Sequence, residues 1–143
     1  MKREFRPDEG ALGWKITNPP ILSLAPIKAS LDLFEEATMP ALRRKAIRLT
    51  AYLERLIKHT VEGTHIISPE DREWRGSQLS LTFPFPAQRV ADRLVAEGAV
   101  IDFRYPNVIR VAPTAMYNSF TDCVDFANTL AAILKETEEE EKE

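Results

Sequence analysis

The side chain whose type and setting most invite chemistry is Arg110, in the run Val108-Ile109-Arg110-Val111-Ala112-Pro113. A guanidinium stays charged, is costly to bury unpaired, and presents a planar fork that matches a carboxylate or phosphate with two parallel hydrogen bonds. Set among β-branched neighbours, it points to water, pairs with an acidic neighbour such as Asp102, or holds an anionic ligand. The pattern alone leaves all three open. Other reactive groups offer less. His59 and His65 fall at a predicted helix end and strand start, where surface or structural roles fit better than acid–base work. The single cysteine, Cys123, excludes an internal disulfide framework and a multi-cysteine zinc site, and beside Val124 on a predicted helix it reads as an inert packed thiol. Carboxylates are plentiful but lie on helix faces or in the C-terminal run, and neither a phosphate-binding glycine loop nor closely spaced metal ligands occur. The residues thus supply an anion-binding arginine without an activated nucleophile, and no catalytic or metal-ligating residue is assigned.

The elements that must position this arginine can be read around it. Val100-Ile101-Asp102-Phe103 and Val108-Ile109-Arg110-Val111 flank the turn residues Tyr105-Pro106-Asn107, the signature of an antiparallel hairpin. Leu79, Leu81 and Phe83 alternate with Gln78, Ser80 and Thr82, which predicts a strand closed by Pro84 and Pro86. His65-Ile66-Ile67 predicts a shorter one, and Pro69 to Trp74 a polar loop. Four helices are expected. The first starts at Ile27, with Leu31, Phe34 and Ala37 in phase and Pro26 in its first turn. The second runs from about Ala41, with Leu42, Ala46, Leu49, Leu53 and Leu56 as its stripe and Gly63 beyond its end. The third covers Ala87 to Glu97, bearing Val90, Ala91, Leu94 and Val95, with Gly98 as its C-terminal cap. The fourth is capped by Asn118 or Ser119, with Asp122 returning the contact and Phe120, Val124, Ala127, Ala131 and Leu134 facing inward. This order predicts an α+β sandwich with a small, largely antiparallel sheet on one side and helices on the other.

Composition agrees with a soluble globular domain, since the chain has 143 residues, 44% of them hydrophobic, and a net charge of −3. A chain of this length buries roughly two thirds of its unfolded surface. The cluster Arg43, Arg44, Lys45 and Arg48 is interleaved with apolar residues at helical spacing and reads as a solvated helix face, so no nucleic-acid partner is expected. No apolar run is long enough to span a bilayer and the N-terminus lacks a signal-peptide core, so a cytoplasmic protein without a membrane partner is expected. Residues 1–20 are broken by Pro7, Gly10, Gly13, Pro19 and Pro20 yet carry Trp14 and Ile16. They read as an irregular segment, the tail of a connection from a preceding domain. Residues 21–135 form the expected domain, and 136–143 an acidic, disordered tail.

Several runs together resemble kynureninase: Gly13-Trp14-Lys15-Ile16-Thr17-Asn18-Pro19-Pro20-Ile21-Leu22, Ala29-Ser30-Leu31, Leu49-Thr50-Ala51-Tyr52-Leu53-Glu54, Arg75-Gly76-Ser77-Gln78-Leu79-Ser80-Leu81, Ile109-Arg110-Val111-Ala112-Pro113 and Tyr117-Asn118-Ser119-Phe120. They follow the family's own order from about Gly10 to about Lys135 and match only its C-terminal third. The resemblance implies the small domain of a fold type I pyridoxal-phosphate enzyme. Such an enzyme is usually a homodimer and hydrolyses L-kynurenine to anthranilate and L-alanine in tryptophan catabolism. It also implies that Arg110 grips the substrate α-carboxylate and that Asn18, beside Thr17, contacts the aromatic end, with Pro19 and Pro20 stiffening that loop. The family usually has serine at Thr17, so the hydroxyl is kept and a methyl added, and commonly a second proline where Ala115 stands. None of Lys15, Lys28, Lys45, Lys58, Lys135 or Lys142 sits in a motif like that of the family's Schiff-base lysine. No cofactor-binding residue is therefore expected here. The chain alone is expected to be inactive, its partners being the large cofactor-binding domain or subunit and, in the complete enzyme, kynurenine. The alternative is a non-catalytic small-molecule or partner-binding module derived from that domain.

Overall fold

The computed structural model describes residues 4–141. The chain divides into two compact units, Met1–Met39 and Pro40–Glu143. In the first, the irregular segment contains a 3-10 turn over Gly10–Trp14. Gly10 enters it at φ +68°, and a Cβ on Gly13 would collide with the Asp8 carbonyl oxygen, so the loop closes too tightly there for any side chain. Met1 to Arg3 of the predicted irregular segment lie outside the described residues.

Helix α1 spans Ile21–Ala37 and so begins earlier than the predicted Ile27. The Pro20 carbonyl accepts the N–H groups of Ser23 and Leu24, both at 3.0 Å, which starts the helix one turn and more before Pro26. Pro26 therefore stands inside α1 rather than in its first turn, at the cost of one i→i−4 hydrogen bond to Leu22. No residue of α1 is buried, and Leu24, Ile27, Leu31 and Phe34 remain 37–59% exposed.

The second unit has the predicted α+β order. Helix α2 (Met39–Thr60) leads to β1 (His65–Ile66) and β2 (Leu79–Thr82); α3 (Ala87–Ala96), β3 (Asp102–Arg104), β4 (Val108–Val111) and α4 (Phe120–Glu140) follow. The sheet runs β1-β2-β4-β3 with every neighbouring pair antiparallel. Alternation does the sorting. Leu79 and Leu81 on β2 and Ile109 and Val111 on β4 are buried, whereas Ser80, Thr82 and Arg110 stay half-buried on the other face. The apolar face joins one core with Leu49, Leu53 and Ile57 of α2, Val90 and Leu94 of α3, and Leu130 and Leu134 of α4. Burying a leucine or isoleucine fully contributes about 1.5–3 kcal/mol, so this one face supplies much of the unit's cohesion.

Two helix faces are rotated from the predicted ones. Helix α4 buries Cys123, Ala127, Leu130, Ile133, Leu134 and Thr137, while Phe120 is 41% exposed and meets the Tyr52 ring edge-on at 5.4 Å. Val95 is exposed on α3, where Ala87 takes the buried place instead. Helix α4 also runs through Glu140, so residues 136–140 continue it where a disordered tail is expected. Thr137 is buried within this stretch, and α3 pairs with its charges. Arg93 reaches Glu136 and Glu140, each at 3.1 Å, and Arg89 reaches Glu140 at 2.9 Å and Glu141 at 2.6 Å. Lys142 and Glu143 of the predicted tail lie outside the described residues.

The N-cap of helix α3, Pro86, has no capping side chain, and Asn107 supplies the function from across the fold. Its Oδ1 accepts the Ala87 N–H at 2.6 Å, while Nδ2 donates to the Phe83 and Phe85 carbonyls at 3.2 and 3.3 Å. One side chain thus joins the β3–β4 turn to the start of α3. Asn107→Ala should destabilise the domain by about 1–3 kcal/mol, the cost of leaving partly buried backbone groups unpaired. Urea denaturation checks this, and Asn107→Asp, which keeps only the acceptor, should fall between.

Candidate anion-binding site

The β3–β4 hairpin builds the site from a local pairing. Register places Asp102 opposite Arg110, Phe103 opposite Ile109 and Arg104 opposite Val108. Phe103 and Ile109 belong to the core, so the neighbouring Asp102–Arg110 pair must stand on the opposite face. On the β2 side Arg110 lies across from Ser80. The strands therefore fix both ends of the contact before any side chain chooses a rotamer.

Arg110 donates from Nε to Asp102 Oδ2 at 2.7 Å and from Nη2 to the same oxygen. That oxygen also accepts from Arg104 Nε at 3.0 Å. The hydrogen bond from Arg110, with the two guanidinium charges, holds the Asp102 carboxyl below the usual carboxylate range. Its second oxygen and Nη1 of Arg110 make no hydrogen bond among the described residues. The contact therefore occupies the Nε/Nη2 edge of the guanidinium and leaves the Nη1/Nη2 edge free. With two cations and one anion in the cluster, the local charge remains positive. Such an arrangement can take a second carboxylate.

The chain after Arg110 is held by Asn118. The Asn118 Oδ1 accepts the Thr114 N–H at 2.8 Å, its own N–H returns to the Thr114 carbonyl at 2.9 Å, and its Nδ2 reaches Asp122 at 3.1 Å. Ser119 caps α4 with Asp122 in a full capping box. The Ser119 backbone N–H, then the Asn118 and Ser119 side chains, keep the Asp122 carboxyl below its ordinary pKa. The loop that carries Ala115 is thereby closed by side-chain bonds at Asn118 rather than by a second proline.

A cleft of about 450 Å³ opens near this loop, lined by Ala99, Val111, Pro113, Asn118, Cys123 and Phe126 among others. Arg110 does not line it, so the cleft and the anion site are separate features. Cys123 is buried, and burial pushes its thiol up to about 11, which makes it the inert packed group that the sequence predicts. Thr17 and Asn18 lie in the first unit, exposed in the non-helical stretch before α1, and make no side-chain hydrogen bond among the described residues. His59 bonds the Arg55 carbonyl of its own helix and His65 is exposed on β1. No group of side chains suited to a metal is present, and no helix is long and apolar enough to cross a membrane, among the described residues.

Arg75, read in the sequence only as part of a resembling run, makes a second arginine–carboxylate contact. Its side chain is 7% exposed and its Nη2 donates to Glu54 of α2, which Lys58 also contacts at 2.9 Å. The pair spans 21 residues of sequence, so no local pattern could have announced it.

Comparison with known proteins places these features in a family context. The family model described as kynureninase C-terminal domain matches residues 42–130. A kynureninase of Myxococcus xanthus (strain DK1622) is 48% identical over 128 residues, which are 89% of this chain and 30% of that protein. The human kynureninase is 46% identical over 138 residues, covering 90% of this chain and 30% of its own length. That of Xanthomonas campestris pv. campestris (strain B100) is 43% identical over 139 residues, 92% of this chain and 33% of its own. The chain spans roughly a third of the length of these relatives.

Proposed function

The chain belongs to the kynureninase family, and from that premise we propose that it supplies the C-terminal, substrate-gripping part of an enzyme hydrolysing L-kynurenine to anthranilate and L-alanine. The observation that carries this reading is the Arg110 guanidinium, half engaged by Asp102 and half open, on a hairpin anchored in the core. Arg110 binds the substrate α-carboxylate through its free edge. Asn18, with Thr17, contacts the aryl ketone end, and Pro19 and Pro20 keep that stretch stiff. A guanidinium holds a carboxylate without taking a proton from the substrate.

Pyridoxal phosphate, the cofactor of this family, serves as an electron sink when bound. The residues of this chain do not fit it. A Schiff-base lysine must present a neutral amine, which calls for desolvation or a cationic neighbour. Lys58 instead has its pKa raised by the hydrogen bonds it donates to the Glu70 and Glu54 carboxylates, and Lys28 is paired with Asp32 on an exposed helix turn. The cofactor therefore belongs to a large domain or subunit that completes the site, in an enzyme that is expected to be a homodimer.

The test uses the complete polypeptide and the chain alone. With pyridoxal phosphate the complete polypeptide should release anthranilate from L-kynurenine, while the chain alone should form no aldimine absorbance and turn over nothing. A complete polypeptide without that activity, or a stable aldimine on the chain alone, overturns the proposal. Calorimetric binding of kynurenine to the chain alone would point instead to a self-sufficient binding module.

A further inference from the structure

We infer that Asp102 is a positioning residue, which fixes the Arg110 guanidinium edge-on so that its Nη1/Nη2 edge faces the ligand carboxylate. The inference rests on the reading of Arg110 as the carboxylate-binding group, and the test keeps the two apart.

An arginine side chain has four rotatable bonds, and one that must meet a planar carboxylate with two parallel hydrogen bonds loses much of that freedom on binding. Asp102 removes the freedom beforehand. It holds Nε and Nη2 through a single oxygen, a contact that sets both the direction of the stem and the plane of the fork. Asp102 is itself fixed twice, by cross-strand register with Arg110 and by the bond from Arg104 Nε at 3.0 Å. Arg104 matters for charge as well. A lone Asp102–Arg110 pair would be neutral and offer an incoming carboxylate little attraction, whereas Arg104 offsets the aspartate and leaves Arg110 with an excess positive charge. Among the described residues no acceptor takes Nη1, so the edge left open is the one that bidentate carboxylate recognition needs.

Asp102→Asn in the complete enzyme keeps the shape of the side chain and removes the ionised acceptor. It should raise KM for L-kynurenine about ten- to a hundredfold, the effect of losing a charge-assisted hydrogen bond, with kcat changed far less. Inhibition by the decarboxylated amine corresponding to kynurenine should stay unchanged, because that molecule has no carboxylate to be oriented. A folding or general packing role would move both, so equal weakening of substrate and amine overturns the inference. Arg110→Ala is measured beside it. If Arg110→Ala abolishes discrimination between kynurenine and the amine while Asp102→Asn preserves it, positioning by Asp102 is wrong and the site stands. If Arg110→Ala itself preserves discrimination, the carboxylate site is elsewhere and both readings fall.

Discussion

Arg110→Ala in the complete enzyme should weaken substrate binding by about 2–5 kcal/mol, the range for truncating one partner of a desolvated charge pair. The loss falls on binding because of what remains in the unliganded protein. Asp102 keeps Arg104 at 3.0 Å, so removing Arg110 strands no carboxylate in the folded domain. Arg110 is 32% exposed, and the pair it makes there is screened by water. The melting temperature should therefore barely move while KM rises steeply. Arg110→Lys should recover only part of the loss, since an ammonium offers a point charge and cannot bond Asp102 and a second carboxylate along two edges of one plane. Steady-state kinetics on the three proteins, with thermal melts alongside, decide it. Substrate affinity in the alanine variant close to that of the parent protein would remove Arg110 from the site.

The same residue shows how far sequence reasoning reaches. It sets an outward arginine, a pair with Asp102 and a bound anion beside one another as competing readings. The geometry makes the last two compatible, because Asp102 uses one edge of the guanidinium and the other stays open. That compatibility is a matter of which nitrogens are engaged, and no spacing encodes it. Features that depend on neighbours in sequence are legible: the alternation in β2, the hairpin that pairs Asp102 with Arg110, and the Ser119–Asp122 capping box. Where two signals compete locally, the reading slips. Pro26 reads as a helix start although Pro20 already caps α1, and Phe120 reads as core although it sits at the first turn of α4 and packs edge-on against Tyr52. Contacts between distant segments leave no local trace at all. The bracket made by Asn107 and the arginines of α3 that hold residues 136–140 in a helix depend on partners brought together by the fold. An acidic run alone repels itself, and Arg89 and Arg93 beside it offset that repulsion while Thr137 is buried within it.

The Glu54–Arg75 pair leads to an expectation about stability whose sign is asymmetric. Arg75 is 7% exposed, Glu54 is its one ion-pair partner among the described residues, and Nη1 of Arg75 is buried without a hydrogen bond. Glu54, by contrast, has Lys58 at 2.9 Å as a second cation. Glu54→Ala leaves a nearly buried guanidinium uncompensated and should cost about 3–5 kcal/mol, as breaking buried pairs does. Arg75→Ala should cost clearly less, since Glu54 keeps Lys58 and the orphaned Nη1 disappears with the side chain. Urea denaturation of the chain tests the order, and an Arg75→Ala variant as unstable as Glu54→Ala would refute it. Acid gives an independent check. Burial pushes the Glu54 carboxyl up, but the hydrogen bonds from Arg75 and Lys58, together with their charges, outweigh it and set the folded pKa below the usual carboxylate value. A group with a depressed folded pKa contributes stability above its unfolded pKa and loses that contribution as pH falls through the folded one. The stability gap between the parent chain and Glu54→Ala should thus be full at neutral pH and narrow on acidification below the ordinary carboxylate range. A gap that stayed constant through that range would mean that Glu54 contributes by packing and not by its charge.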